Sequence, residues 1–427
     1  MTKIFIQTHG CTANFYESEV MAGLLAKADF KIVDDAEYSD INIINICTVK
    51  GNVVSLKEIN HLVEQYPEKK LIITGCIAKD IIPKIRQITE DATLINTHNI
   101  HRIVEGVEES LQGNVLEALT QGKVNKAELP KIPKNKVIDI VPIASGCVDS
   151  CAYCSVKLIK GNVFSYPEES IIKRIKSSVE HGCKEIWLTS QDNGAYGIDK
   201  GTELTSLLNK ILENVQGNYK IRLGMMNPRH VITMMDELME IYQDNRMFKF
   251  LHVPIESGNN EILGKMNRKY NVHQFKEMVN SFRRYVEDIT IATDMIVGFP
   301  TETELQFQDS LHLLQDVKPD IVNLARFSSR PYTKAVRMNQ VSSNIKKERS
   351  KEMNELFQRL SLKNNKNWVG WEGNALIDEI GKDNSFVGRN FAYKPIIIKG
   401  NYNLGQEVKV KITDAAIYDL KGEVLGS

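Results

Sequence analysis

The tightest constraint in this chain is a run of three cysteines, Cys147, Cys151 and Cys154, spaced C-x3-C-x2-C. It follows a β-branched run, Val137–Ile143, that reads as a strand. Thiolates this close can converge on one metal centre. A cubane iron–sulfur cluster has four irons, so three cysteine ligands leave one iron open to a small molecule with an amino and a carboxylate group. Two other readings stay open on spacing alone: buried thiols, or a zinc site that takes a fourth ligand from elsewhere. A chain folded around such a loop must bring three side chains to one point at the end of a strand.

The surrounding pattern predicts where that strand belongs. From 137 to 366, six short apolar runs alternate with helical patterns: Val137–Ile143, Glu185–Thr189, Tyr219–Leu223, Phe248–Pro254, Thr290–Val297 and Asp320–Phe327. Helices are predicted over Glu168–His181 and Val272–Tyr285, and a charged helix, Asn344–Lys363, closes the region. Six βα units wrap as a partial (β/α)6 barrel whose working face lies at the strand C-terminal ends. Residues 1–120 read as a smaller α/β domain. There the strands Ile4–Ile6, Ile41–Ile46 and Leu71–Ile73 alternate with helices Glu17–Ala28 and Val54–Gln65, which argues for a parallel sheet. Residues 121–136, with Pro130, Pro133 and several lysines, read as a linker. In 367–427, short β-rich runs between recurring glycines predict a small antiparallel β-barrel. The fold class is α/β throughout the first two domains.

Composition narrows the functional classes. Lys+Arg and Asp+Glu both number 54, 42% of residues are hydrophobic and 25% charged, which excludes a disordered or low-complexity chain. Seven cysteines in 427 residues are too sparse for a disulfide scaffold. No apolar run approaches the roughly 20 residues that span a bilayer. The chain enters a strand pattern at once, without a charged-then-apolar leader. These features predict a cytoplasmic protein with reduced cysteines and no membrane association. The zero net charge conceals a division: −6 over 1–120, +7 over 121–366 and −1 over 367–427. Zero net charge gives no bulk pull toward nucleic acid, so any such function must rest on local charge, which the middle region carries.

The remaining cysteines sort by position. Cys11, Cys47 and Cys76 each follow a predicted strand of the first domain. Ligands of open parallel sheets gather beyond the carboxyl ends of the strands, so these three are expected to converge, although small core thiols would also satisfy the sequence. Cys183 precedes a strand, at the wrong end, and reads as structural. The barrel strands end in Ser190-Gln191-Asp192, Asn227-Pro228-Arg229-His230, Glu256-Ser257-Gly258-Asn259, Gly298-Phe299-Pro300-Thr301-Glu302 and Ser328-Ser329-Arg330-Pro331. Any one of these suits an ordinary turn; together they would crowd polar groups onto the working face.

The C-x3-C-x2-C spacing on a (β/α)6 pattern, with Tyr153 before the third cysteine, resembles the radical S-adenosylmethionine superfamily. Two cysteine triads, a partial barrel and a final barrel similar to a TRAM domain together resemble its methylthiotransferases, over essentially the whole chain. Thr8-His9-Gly10-Cys11-Thr12, Leu188–Asp192, Gly224–His230, Pro254–Gly258 and Phe327–Thr333 resemble the archaeal and eukaryotic branch acting on threonylcarbamoyladenosine in tRNA. The resemblance implies two [4Fe-4S] clusters, one on Cys147, Cys151 and Cys154 and one on Cys11, Cys47 and Cys76. The first would cleave S-adenosylmethionine, whose radical takes hydrogen from carbon 2 of the adenine; the second would present the sulfur. The product would be the 2-methylthio derivative, on the 3′ side of the anticodon. The implied partners are the tRNA anticodon loop and an electron donor, with the chain a monomer.

Within that resemblance, Tyr153, Gln191, Asp192, Glu256 and Ser257 are expected at the cofactor, with Glu256 and Ser257 at its ribose. Lys160, Arg229 and Arg330 are expected at the RNA or the substrate carboxylate, each with a structural ion pair as the alternative. Lys160-Gly161 stands where an Arg-Gly pair is usual, and Asn14-Phe15-Tyr16 where Asn-Gln is common. Lysine keeps the charge but loses the planar fork. In the final domain Arg389, Lys394, Lys399, Lys409 and Lys411, near Phe391 and Tyr393, are expected to grip single-stranded RNA or else to form a solvated face over core aromatics. The competing functions are a methylthiotransferase for another modified adenosine or a ribosomal-protein aspartate, and a non-catalytic RNA-binding iron–sulfur protein.

Overall fold

The computed structural model describes residues 1–47 and 51–426. The first domain is a six-stranded, all-parallel sheet: β1 (Lys3–Thr8), β2 (Lys31–Val33), β3 (Ile41–Ile46), β4 (Lys70–Gly75), β5 (Thr93–Asn96) and β6 (Glu117–Ala118), in the order β2-β1-β3-β4-β5-β6. All six residues of β3 are buried, because helices cover both faces of a parallel sheet. Its isoleucines point alternately into two cores, Ile41 and Ile43 to one face and Ile44 and Ile46 to the other. Half of this sheet was not expected: β2, β5 and β6 are short. The first helix spans Thr12–Lys27, beginning directly after Cys11 rather than at Glu17.

Residues 121–136 are pinned down rather than draped. The Tyr16 hydroxyl donates to the Lys126 carbonyl at 2.5 Å, and Lys131 Nζ sits between Glu19 (2.7 Å) and Asp139. Gly23 admits the strap, since a Cβ there would lie 2.5 Å from Lys131 Cα.

The middle region carries the six expected strands, all parallel. Ile138–Pro142, Glu185–Thr189 and Lys220–Leu223 form one sheet, and Phe250–His252, Thr290–Val297 and Ile321–Arg326 another. A bridge between Ile221 and Met247 joins them into one arc. The strand expected over Phe248–Pro254 is shorter because the Ile255 N–H bonds to Thr293 Oγ1 instead of a backbone carbonyl, interrupting the ladder, which resumes at Glu256. Helices pack outside the arc. Val272–Tyr285 and Glu304–Val317 both begin with a capping box, Asn271/Gln274 and Thr303/Gln306. The closing helix spans Ser343–Lys366.

The last domain is a closed five-stranded barrel of Glu372–Ile380, Ser385–Arg389, Pro395–Lys399, Glu407–Ala415 and Leu420–Val424. It is not antiparallel throughout, because Pro395–Lys399 runs parallel to Leu420–Val424. Ser385–Arg389 and Leu420–Val424 are hidden in the sequence by Gly388 and Gly422. Both glycines sit where a side chain would press on a neighbour: a Cβ at 422 would lie 2.8 Å from Ile396 Cγ2. This barrel docks on the base of the central barrel, at the strand N-terminal ends. Tyr393 packs on Phe248 and Phe250 with ring centroids 4.8 and 5.2 Å away, and Lys394 Nζ bonds Asp320 Oδ1 at 2.8 Å. Arg389 pairs with Asp378 at 3.0 Å. Arg389, Tyr393 and Lys394 are thus joint residues rather than the free RNA surface expected of them, while Lys399, Lys409 and Lys411 remain exposed. Among the described residues, no helix is long and apolar enough to cross a membrane.

Candidate active site

Cys147, Cys151 and Cys154 lie on the loop that leaves the first strand of the central barrel. Gly146 makes the turn possible: its φ is +81°, and a Cβ would lie 2.1 Å from the Asn162 carbonyl oxygen. The loop is held by the Gly146 N–H donating to Gln191 Oε1 (2.7 Å) and the Ala152 N–H to the Met266 carbonyl (2.9 Å). All three thiols are partly buried. Burial pushes Cys147 up to about 12 and Cys154 to about 11. Arg268 opposes that trend at Cys151, with Nη1 3.3 Å from the sulfur. Three thiols on one short loop, with a guanidinium against Cys151, suit an iron–sulfur cluster, whose net negative charge the cation would offset.

A cavity of about 600 Å³ adjoins this loop, bordered by Tyr153, Cys154, Glu256, Asp294, Phe327 and Arg330. The Tyr153 hydroxyl donates to Glu256 Oε1 at 2.7 Å. Burial raises the Glu256 carboxyl to about 7, although Arg268 works the other way. Glu256 has φ +74°, an uncommon conformation for a side-chain-bearing residue, which turns the chain at the strand end. Ser257 is buried, and its hydroxyl accepts from the Asn259 N–H at 3.3 Å.

Gln191 and Asp192 serve the loops themselves. Asp192 Oδ1 accepts from the N–H groups of Gly194 (3.1 Å) and Asn227 (3.0 Å), and burial raises its carboxyl to about 6. Arg229 Nη1 pairs with Asp149 at 3.1 Å. Arg330 stands at the cavity wall near Gly51. Lys160 is buried against Glu17 and Thr97 and does not border the cavity.

Two groups were not anticipated. Arg268 is one. The other is a trio inside the barrel: Asp294 Oδ1 meets His252 Nε2 at 2.8 Å and Asn323 Nδ2 at 2.7 Å. Burial works to raise Asp294, yet His252 and Asn323 hold it below the usual carboxylate range. Alternation along Thr290–Val297 was the only available signal, since it turns Asp294 inward.

The N-terminal cysteines also meet. Cys11 caps the first helix, Cys47 ends β3 and Cys76 follows β4, with its N–H on the Ile46 carbonyl at 2.9 Å. Cys47 lies close to both other thiols; its interaction with them draws Cys11 down to about 6 and lowers Cys76, and Cys47 itself is raised. Asn14 and Asn45 brace the site through a buried bond of 2.8 Å, and Cys11 donates to Asn14 Oδ1 at 3.3 Å. This second converging triad also suits a cluster. Residues 48–50, next to Cys47, lie outside the described residues; Gly51, Asn52 and Val53 border the same cavity as Cys154. Cys183 is buried at the opposite end of the barrel, donating to the Val137 carbonyl at 3.0 Å.

Residues 141–314 match the family model of the radical SAM superfamily, residues 3–96 that of the uncharacterized protein family UPF0004, and residues 367–425 the TRAM domain. Among solved structures, the radical S-adenosylmethionine methyltransferase TsrM of Kitasatospora setae aligns with TM-score 0.55 and 11% identity over 79% of this chain and 74% of that one. The cobalamin-dependent S-adenosylmethionine radical enzyme OxsB aligns at 0.53 and 11%, over 78% of this chain and 54% of that one. At such identities the likeness is one of fold. The fold and the cysteine loop define a radical S-adenosylmethionine enzyme. A probable threonylcarbamoyladenosine tRNA methylthiotransferase of Pyrococcus horikoshii is 37% identical over 100% of both chains. The human threonylcarbamoyladenosine tRNA methylthiotransferase is 36% identical over 99% of this chain and 74% of its own length. The chain belongs to the threonylcarbamoyladenosine tRNA methylthiotransferase family. That membership implies a [4Fe-4S] cluster and S-adenosylmethionine.

Proposed function

We propose that this chain converts N6-threonylcarbamoyladenosine, on the 3′ side of the tRNA anticodon, into its 2-methylthio derivative. The observation that carries the reading is the cavity bordered both by Cys154 of the central barrel and by Gly51, Asn52 and Val53 of the first domain. The cysteine loop of the central barrel and a segment of the first domain thus line one space. A base in an anticodon loop can enter it without a duplex being opened.

In this reading Cys147, Cys151 and Cys154 hold one [4Fe-4S] cluster and Cys11, Cys47 and Cys76 a second, within residues 137–366 and 1–120. The clusters, when bound, supply the electron that cleaves S-adenosylmethionine and the sulfur that is transferred; an external donor must provide the electron. The chain's own residues bind and orient. Glu256, with Tyr153 fixing one oxygen, faces the cavity and offers the other to hydroxyl donors of the ribose. Ser257, Gln191 and Asp192 fix the loops around the cofactor. Arg330, at the cavity wall, meets RNA phosphate or the substrate carboxylate, and Arg229 orients Asp149 below it. Residues 367–427 add contacts through exposed Lys399, Lys409 and Lys411.

The decisive experiment is anaerobic reconstitution, followed by incubation with threonylcarbamoyl-modified tRNA, S-adenosylmethionine and a reductant, and mass analysis of the nucleosides. The expected outcome is the 2-methylthio nucleoside, lost with Cys151→Ala. Release of 5′-deoxyadenosine with an unmodified base would sink the substrate assignment.

A further inference from the structure

Among the described residues, two tyrosines hold the left-handed backbone conformation, Tyr332 at φ +64° and Tyr393 at +60°. That conformation costs free energy at any residue with a Cβ, and the fold offsets the cost at one of the two only. Tyr393 is 7% exposed and packs on Phe248 and Phe250. Tyr332 is 74% exposed; among the described residues its ring meets no other ring and its hydroxyl makes no hydrogen bond. Nothing inside the molecule compensates the backbone at Tyr332, and uncompensated strain of this kind gathers where a chain meets a ligand.

The turn around Tyr332 presents the ring outward. Pro331 precedes it, and the Thr333 N–H closes the turn on the Arg330 carbonyl at 3.3 Å. Proline second and a left-handed residue third make a type II turn, whose third position ordinarily takes glycine. Thr333 Oγ1 donates to the same carbonyl at 2.7 Å. The Ala335 N–H donates to the Ala152 carbonyl at 2.9 Å, inside the loop of Cys147, Cys151 and Cys154. Thr333 and Ala335 are buried while Tyr332 and Lys334 are exposed, so the segment is anchored on one side and open on the other. Its open side is basic. Arg330 borders the cavity, and Lys334 and Arg337 are exposed without an ion-pair partner among the described residues. No acidic residue occurs anywhere from 321 to 347. An exposed ring among such cations suits a single-stranded nucleic acid, whose phosphates meet the charges while a base stacks on the ring.

We propose that Tyr332 positions the RNA: its ring stacks on the nucleobase next to the target adenosine in the anticodon loop, while the target itself enters the cavity. Tyr332 lies two residues beyond Arg330 and does not border the cavity, so the base it meets is one left outside. The proposal deepens the function proposed above and rests on it. Glycine would form the same turn at lower cost, so the tyrosine is accounted for by binding rather than by folding.

The test uses the reconstituted full-length chain and a labelled anticodon stem-loop carrying threonylcarbamoyladenosine. Affinity is read by fluorescence anisotropy and stability from the denaturation midpoint. Tyr332→Gly is expected to weaken binding by about 5- to 100-fold without lowering the midpoint, and Tyr332→Phe to bind like the parent. Stem-loops with a single abasic nucleotide on either side of the target then locate the stacked base. One of them is expected to weaken the parent by a similar factor and to leave Tyr332→Gly unchanged. Equal affinities of the parent and Tyr332→Gly overturn the proposal. So does a binding loss in Tyr332→Gly that neither abasic site abolishes, or a lowered midpoint, which would make the ring part of the packing. Nucleoside analysis of threonylcarbamoyl-modified tRNA keeps the two readings apart. A parent that methylthiolates the tRNA while any of those results holds overturns this proposal alone; a parent that leaves it unmodified overturns the proposed function and this inference with it.

Discussion

At the scale of single residues, Arg268 does most to organise the radical site. Its guanidinium reaches Cys151 Sγ at 3.3 Å, the Pro254 carbonyl at 3.0 Å and the Tyr270 hydroxyl at 2.7 Å, and lies 3.8 Å from Glu256. Only a planar fork with several donors makes those contacts at once. Arg268→Lys is expected to lower the unfolding free energy by about 1–3 kcal/mol, because buried acceptors lose their donors. Denaturant titration of the cluster-free chain measures it, and an unchanged midpoint would contradict the role. Arg268 was not legible in the sequence, where Asn267-Arg268-Lys269 looks like a solvated turn. Its partners come from segments far apart in the chain, as do those of Lys160 and Glu17. The six cysteines stood out more readily in the sequence: spacing singled out one triad, and position after strands singled out the other.

At the scale of elements, the cysteine sites depend on backbone turns that tolerate little change. Gly75 ends β4 with φ +95°, and a Cβ there would lie 2.2 Å from Asn45 Oδ1 and 2.4 Å from the Ile46 carbonyl. Gly75→Ala is expected to cost at least about 1–3 kcal/mol in backbone strain and to displace Asn45. Iron bound by a chain lacking the barrel cysteines should fall with it. The strap over 121–136 gives a second prediction. Lys131 is buried between Glu19 and Asp139, so Lys131→Met leaves Glu19 without a cation and Asp139 with Arg174 alone, 3.4 Å away. A loss of about 3–5 kcal/mol is expected, read from the denaturation midpoint. Long β-branched strands such as Ile41–Ile46 were legible because a doubly covered parallel strand is apolar on both faces. The short β2 and β6 were not, since three and two residues carry no periodicity. In the final barrel, Gly388 and Gly422 broke the apolar runs that would have marked two strands.

At the scale of the whole molecule, the joint between the two barrels is built from charge and rings. The Arg222 guanidinium lies about 5 Å from the rings of Trp187, Phe250 and Tyr393 (5.0, 5.0 and 5.1 Å). Beside it Glu185 and Asp378 face each other near Arg389; Glu185 Oε2 and Asp378 Oδ1 are buried without a hydrogen-bond partner among the described residues, and Trp187 Nε1 donates to Glu185 Oε1 at 2.8 Å. Burial, reinforced by Asp378, pushes Glu185 up to about 8 from an ordinary value of 4.5. The folded state therefore holds a proton that the unfolded chain has released between those values. Stability from this group is fully present below about 4.5 and is lost as pH rises toward about 8. Glu185→Gln should flatten that slope in denaturation curves taken across the range; an unchanged slope would assign the pH dependence to other groups.

The joint also bears on how RNA would be held in the proposed function. The cysteine loops lie at one mouth of the central barrel, and the terminal barrel is clamped to the opposite end. A nucleic acid that touches both has to run the full height of the barrel wall. In the proposed function the enzyme would respond to the length of its substrate as well as to a base: an isolated anticodon stem-loop should fill the cavity yet fall short of Lys399, Lys409 and Lys411. Full-length tRNA is expected to bind more tightly than the stem-loop, with a steeper salt dependence, and charge reversal of those three lysines should bring the two substrates to the same affinity.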